Sequence, residues 1–148
     1  MERKIEAVWI DEGFGFPVKI RNVPMVKVRG HWAPEINYKQ LAKTVLLVLT
    51  TKPARLTGAE VRFIRTHFEL TLKDFAERFD VSHPAVIKWE AAKQKATSMN
   101  WSTEKDIRLF VLSRLGEDKS IIAVYKQLEV PASAKAVAVD FDAKKVAA

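Results

Sequence analysis

The chain has no cysteine in its 148 residues. It can therefore form neither disulfides nor a thiolate-ligated zinc site, which fits a reducing compartment. Histidine is scarce too. His31, His67 and His83 fall in separate stretches, with no i, i+4 pair of the kind that holds a metal on one helix face. No metal and no cofactor are expected. Long apolar runs are missing: the longest, Val45–Leu49, is far short of the ~20 residues that span a bilayer. The opening MERKIEAVWIDE lacks an apolar stretch of signal-peptide length. The expectation is a soluble, cytoplasmic chain with no membrane partner. No glycine-rich phosphate loop, nucleophile elbow or zinc-protease helix is present. The carboxylates are scattered, and Glu104 with Asp106 suits the first turn of a helix. Nothing requires an enzyme, and none is expected.

What is present is positive charge. The net charge is +7 and the pI about 9.7, a balance that favours a polyanionic partner. Hydrophobic content of 48% is ordinary for a globular chain, and the length suits one domain or two small ones.

The patterning predicts an α+β fold: a small N-terminal antiparallel β meander plus a helix, followed by an all-α region. KIEAVWI, FPVKI and PMVKVRG are short β-rich runs separated by DEGFG and RNV, with Gly13 and Gly15 providing a turn. In the second and third runs, Val18, Ile20, Val26 and Val28 alternate with Lys19, Arg21, Lys27 and Arg29. A buried face and a basic face follow; the basic one is either a solvated surface or a contact for nucleic acid or a partner. Asn37 caps a helix from Tyr38 to about Leu49, with Leu41, Val45, Val48 and Leu49 on one side. TTKPAR then reads as a linker. The divisions are 1–54, a possible partner-binding region; 55–130, helical; and 131–148, a loosely ordered tail.

In the helical region, Thr57 to Glu60 is a capping box opening a helix with Val61, Ile64 and Phe68 inward. The next stretch, TLKDFAERFDVSHPAVIKWE (71–90), reads as two short helices joined by a tight turn. Thr71 caps the first, where Leu72, Phe75, Ala76 and Phe79 follow helical spacing. Asp80-Val81 interrupts the pattern. Ser82 caps the second, with Pro84 in its first turn. Val86 and Trp89 share one face, leaving His83, Pro84, Ile87 and Lys88 on others. Beyond it, AAKQKATSMNW is a basic loop. Thr103 caps a helix from Glu104 to Leu115 with Ile107, Phe110, Val111 and Leu115 inward, and Gly116 ends it. Ser120 to Leu128 is a last short helix with Ile121, Tyr125 and Leu128 on one face.

The run from Val61 to Glu90 resembles the helix-turn-helix of the Cro/repressor (XRE) family. The matching features are Arg65 near the end of the first helix, Thr71 opening the second, Ala76 inside it, Val81-Ser82 at the turn and the closing Trp89-Glu90. NVPMVKVRGHWAPEINY leading into KPARLTGAEVRFIR is similar to antitoxins of the MqsA (YgiT-type) group, in which a toxin-binding region precedes an XRE-type domain. Members of that group often carry a zinc site of paired cysteines; this chain has none.

The resemblance implies a sequence-specific DNA-binding antitoxin that neutralises a protein toxin and represses its own operon. The alternative is a freestanding XRE-family regulator without a toxin. Matched to the family pattern, His83, Pro84 and Lys88 occupy the base-reading positions, and Arg65 with Glu90 forms a structural ion pair. Lys73, Ser82, Lys93 and Lys95 are expected to hold phosphates. One reading helix spans few base pairs, so a homodimer on a palindromic operator is expected. Leu109 and Leu112 widen the stripe of helix 104–115 and are the candidate dimer contact.

Overall fold

A computed structural model describes every residue except Ala134 and Ala136. The architecture is mixed α+β, with N-terminal strands followed, among the described residues, by six α-helices. The chain divides into two units: Met1–Val48 with Ala138–Ala148, and Leu49–Val137. Among the described residues no helix is long and apolar enough to cross a membrane.

The first unit is built on a long strand. β1 (Arg3–Asp11) pairs antiparallel with β2 (Val18–Val28), Arg3 facing Val26 and Asp11 facing Val18. The two runs expected to be separate strands are this one strand. RNV does not end it, because Asn22 absorbs the irregularity with φ 57, a left-handed conformation that asparagine tolerates. The buried set changes phase there, from Val18 and Ile20 to Val23 and Met25, while Val28 is exposed. The expected inward Val26 and Val28 are thus corrected.

The third strand is β3 (His31–Pro34), joined to β2 by Arg29 and Gly30 with φ 50 and 81. Positive φ at both central residues is what a type I′ hairpin turn requires. The tail is not loose where it is described. β4 (Val139–Asp142) runs parallel to β2 along Val18–Arg21, burying Val139 and Phe141. Arg21 Nε donates to Asp140 at 2.8 Å and Asn22 Nδ2 to Asp142 at 2.9 Å. One side of β2 is therefore shared by β4 and β3. Ala134 and Ala136, within the tail expectation, lie outside the described residues.

α1 (Tyr38–Thr51) starts at Asn37, whose Oδ1 accepts from Gln40 N–H at 3.1 Å. Leu41, Val45 and Leu46 are buried in the first unit. Asn37 N–H donates to Val146 O at 2.8 Å, so the C-terminus closes this unit as well.

The second unit holds α2 (Gly58–His67), α3 (Leu72–Arg78), α4 (His83–Ala91), α5 (Trp101–Arg114) and α6 (Ile121–Gln127). The TTKPAR stretch is no linker. Thr50, Lys52, Ala54 and Leu56 are buried. Lys52 Nζ donates to both oxygens of Glu60, at 2.7 and 2.6 Å. Arg108 donates to Lys52 O at 2.7 Å and to Ala54 O at 2.6 Å. Glu104 is not an exposed first-turn charge: it is buried, accepting from Arg55 Nε at 2.9 Å and Arg108 Nη2 at 2.8 Å. Burial pushes the Arg108 guanidinium below its ordinary pKa, and Glu104 opposes that shift.

α5 begins at Trp101 after Asn100, placing Thr103 inside the helix rather than at its cap. Leu112 is buried and Leu109 half-buried, so Leu112 serves the core and is withdrawn as a dimer contact. In α6 the inward residue is Val124, with Leu128 following, while Tyr125 is exposed.

Candidate nucleic-acid interface

The candidate surface is carried by α3, α4 and the segment after them. Thr71 Oγ1 accepts from Asp74 N–H at 3.0 Å and starts α3, where Phe75 and Ala76 turn inward. Asp80 reverses the chain with φ 54, and Val81 N–H donates to Ala76 O at 3.0 Å. Ser82 Oγ then accepts from Ala85 N–H at 3.2 Å and opens α4, with Pro84 in the first turn. There its missing N–H costs nothing, since the first amides of a helix have no internal partner.

α4 is divided along its length. Val86 and Trp89 are buried, and the helix packs against both α2 and α3. A nine-residue helix is not stable alone; each buried side chain of this size contributes roughly 1.5–3 kcal/mol, so docking holds it. His83, Pro84, Ile87 and Lys88 are exposed, which brings the three expected base-reading residues onto the solvent side of one helix. The four expected phosphate contacts, Lys73, Ser82, Lys93 and Lys95, are exposed too.

Two features set the position of α4. Arg65 holds Glu90 through two parallel bonds, Nε to Oε2 at 2.7 Å and Nη2 to Oε1 at 3.0 Å, both side chains being about 12–13% exposed. Arg65 Nη1 also donates to Leu70 O at 3.0 Å. One guanidinium thus ties α2 to α4 and to the residues entering α3, a geometry that arginine's rigid fork supplies and lysine could not.

The second feature is Gly58. A Cβ there would lie 2.6 Å from Lys93 N and 2.8 Å from Glu90 O, and would also collide with Trp89 O. The start of α2 therefore abuts the end of α4 at backbone distance. Ala59 N–H donates to Lys93 O at 2.9 Å, Gly58 N–H to Lys95 O at 3.2 Å, and Thr97 N–H to Leu56 O at 3.0 Å. The backbone of the basic loop is pinned while its lysine side chains stay in solvent.

Sequence reasoning missed Gly58, which it used only as a position within a capping box, and it missed the buried charges. A signal for the latter was present: Glu104 and Arg108 stand i, i+4 on the same stripe as Ile107 and Val111. Opposite charges on an apolar stripe point inward as a pair. Among the described residues no group of acidic or histidine side chains is arranged to hold a metal ion.

Compared with protein-family models, with curated proteins and with solved structures, the chain matches none.

Proposed function

We propose that the chain binds double-stranded DNA sequence-specifically through α4, as the antitoxin of a toxin–antitoxin pair that represses its own operon. The observation that carries the DNA reading is the division of α4: Val86 and Trp89 locked inward, with His83, Pro84 and Lys88 outward. Lys73, Lys93 and Lys95 flank that face in sequence, and the net charge is +7. In a helix-turn-helix the second helix enters the major groove and its first turns face base edges. Lys88 then donates to guanine O6 and N7, worth about 1–3 kcal/mol of discrimination. Pro84 offers apolar contact to a thymine methyl, and His83 donates to a base or a phosphate. Lys93 and Lys95 hold the backbone without reading it. The antitoxin reading is supported by the separate sheet-bearing unit, which reading DNA does not need, and by the MqsA-type resemblance.

The test selects a preferred duplex from a random pool and co-expresses the chain with the product of its neighbouring gene. Lys88→Ala is expected to relax the selected preference without changing the fold. Lys93→Glu with Lys95→Glu is expected to flatten the salt dependence by roughly 0.9 in log–log slope per lost contact. Absence of any preferred duplex defeats the DNA reading. Preferred binding with no relief of toxicity and no co-purification leaves a freestanding regulator.

A further inference from the structure

The outward side of α4 is more apolar than a solvated helix face ordinarily is. At about 3.6 residues per turn, Pro84 and Ala91 lie opposite the buried Val86 and Trp89. Ile87 stands to one side of that line and Lys88 to the other. All four are exposed, as is His83 in the first turn. Three of these five side chains, Pro84, Ile87 and Ala91, are apolar and follow the spacing i, i+3, i+7, a continuous stripe down the helix. Ile87 is the largest of the three and is 50% exposed. A helix docked by one side on a core usually turns polar residues to water. A lone exposed aliphatic side chain needs no explanation, but this one sits in mid-stripe between His83 and Lys88.

The charges around the stripe select its occupant. From Ser82 to Asn100 the exposed Lys and Glu side chains are Lys88, Lys93 and Lys95, all cations. The one carboxylate in that span, Glu90, is held by Arg65. An apolar stripe bordered by ammonium groups fits a polyanion that offers an apolar group between its phosphates. The major groove of DNA has one such group on its base edges, the C5 methyl of thymine. We propose that Ile87 reads that methyl, so that the preferred duplex carries a thymine facing Ile87 beside the base facing Lys88. This inference rests on the DNA reading above and adds to it a base and the side chain that chooses it.

Isoleucine suits the task physically. Its β-branch leaves essentially one favoured χ1 in a helix, so little rotamer freedom is lost when it is pressed against a base. Contact with the methyl removes apolar surface of both partners from water. Pro84 is closed back on its own backbone, and Ala91 offers a single methyl, so Ile87 reaches furthest along the stripe. Lys88, the next residue, discriminates by hydrogen bonding through a long flexible stem. The two neighbours therefore ask different questions of the groove: Lys88 asks for acceptors and Ile87 for a methyl.

The test uses the full chain and the duplex selected from a random pool. Each thymine is replaced in turn by deoxyuridine, which keeps the base pair and its hydrogen-bonding groups and removes only the methyl. At least one replacement is expected to weaken binding about three- to tenfold. Ile87→Ala is expected to weaken binding to the thymine duplex by a similar factor and to bind the thymine and uracil duplexes equally. Its melting temperature is expected to stay unchanged, because the side chain is exposed. Ile87→Val, which trims the side chain and keeps the branch, is expected to fall between, and it carries the test should the alanine variant misfold. A preferred duplex with no uracil-sensitive position overturns the inference and leaves the DNA reading standing. So does uracil sensitivity that survives in full in the Ile87 variants, which would assign the methyl to another side chain such as Pro84. A pool that yields no preferred duplex overturns both.

Discussion

In the sheet-bearing unit the ion pairs lie at the surface: both partners of Arg3–Glu35, Lys4–Glu6 and Arg21–Asp140 are about a third or more exposed. In the helical unit, Lys52 and Glu60 are 1% and 3% exposed, and Glu104 and Arg108 are fully buried. Exposed pairs contribute about 0–1 kcal/mol, whereas removing one partner of a buried pair strands the other in a poor solvent. The first unit is accordingly held by apolar burial and ladder bonds, with charge as trim. The second commits carboxylates and guanidinia to its interior, where every member depends on the rest. Deleting a surface charge of the first is mild and deleting a buried charge of the second severe; the helical unit's Arg78–Asp106 pair, about half exposed, belongs with the mild cases.

The harshest way to probe that contrast is Glu104→Ala. It leaves Arg108 and Arg55 facing each other without their shared carboxylate, and is expected to cost about 3–5 kcal/mol, read by chemical denaturation of the full chain. Replacing Glu104 and Arg108 together by leucine is expected to recover much of that loss. A cost below about 1 kcal/mol for the single variant would show that this interior tolerates a lone guanidinium, and the contrast would fail.

Gly58→Ala tests the backbone contact rather than the charges. The added Cβ forces the start of α2 away from the end of α4, an overpacking effect of about 1–3 kcal/mol. Thermal melting reads the loss, and the proposed DNA affinity is expected to fall with it. An unchanged melting temperature would mean that the two helices separate freely.

Glu90→Gln sits between the extremes, because its pair with Arg65 is neither exposed nor sealed. The expected cost is about 2 kcal/mol, with DNA affinity falling in step. Affinity lost at full stability would make Glu90 a direct DNA contact instead.

The smallest effect is expected from Asp142→Asn in the sheet-bearing unit. The Lys144 N–H and then the Asn22 amide hold the Asp142 carboxyl below its ordinary value. A depressed carboxylate stabilises the fold above its unfolded pKa, and that contribution disappears as pH falls through the folded one. The natural chain is therefore expected to exceed the variant slightly at neutral pH, and the gap to close in acid. A gap that grows in acid would reverse the sign and refute the assignment.

The same contrast marks how much was legible in advance. The capping residues Asn37, Thr57, Thr71 and Ser82 announced helix starts, because a cap is a bond between positions two or three apart. The inward faces of α2 and α4 followed from period, since Val61, Ile64, Val86 and Trp89 obey helical spacing. The exposure of His83, Pro84 and Lys88 followed by subtraction. The start of α5 was misplaced because Asn100 makes no side-chain cap bond, while Thr103 resembled one. β2 was split in two because RNV has turn composition, and only pairing with β1 across it shows the strand to be continuous.

Local pattern by itself determined the mixed class, four helix starts, and which faces of α2 and α4 turn inward, because those depend on neighbours within a turn of chain. Tertiary structure alone decided the rest. It brought Val139–Asp142 back beside β2, with Arg21 bonded to Asp140 across 119 positions. It drew Lys52 and Glu104 into an interior where lysine and glutamate do not go unpaired. Each outcome turns on a partner remote in sequence, and periodicity carries no information about remote partners.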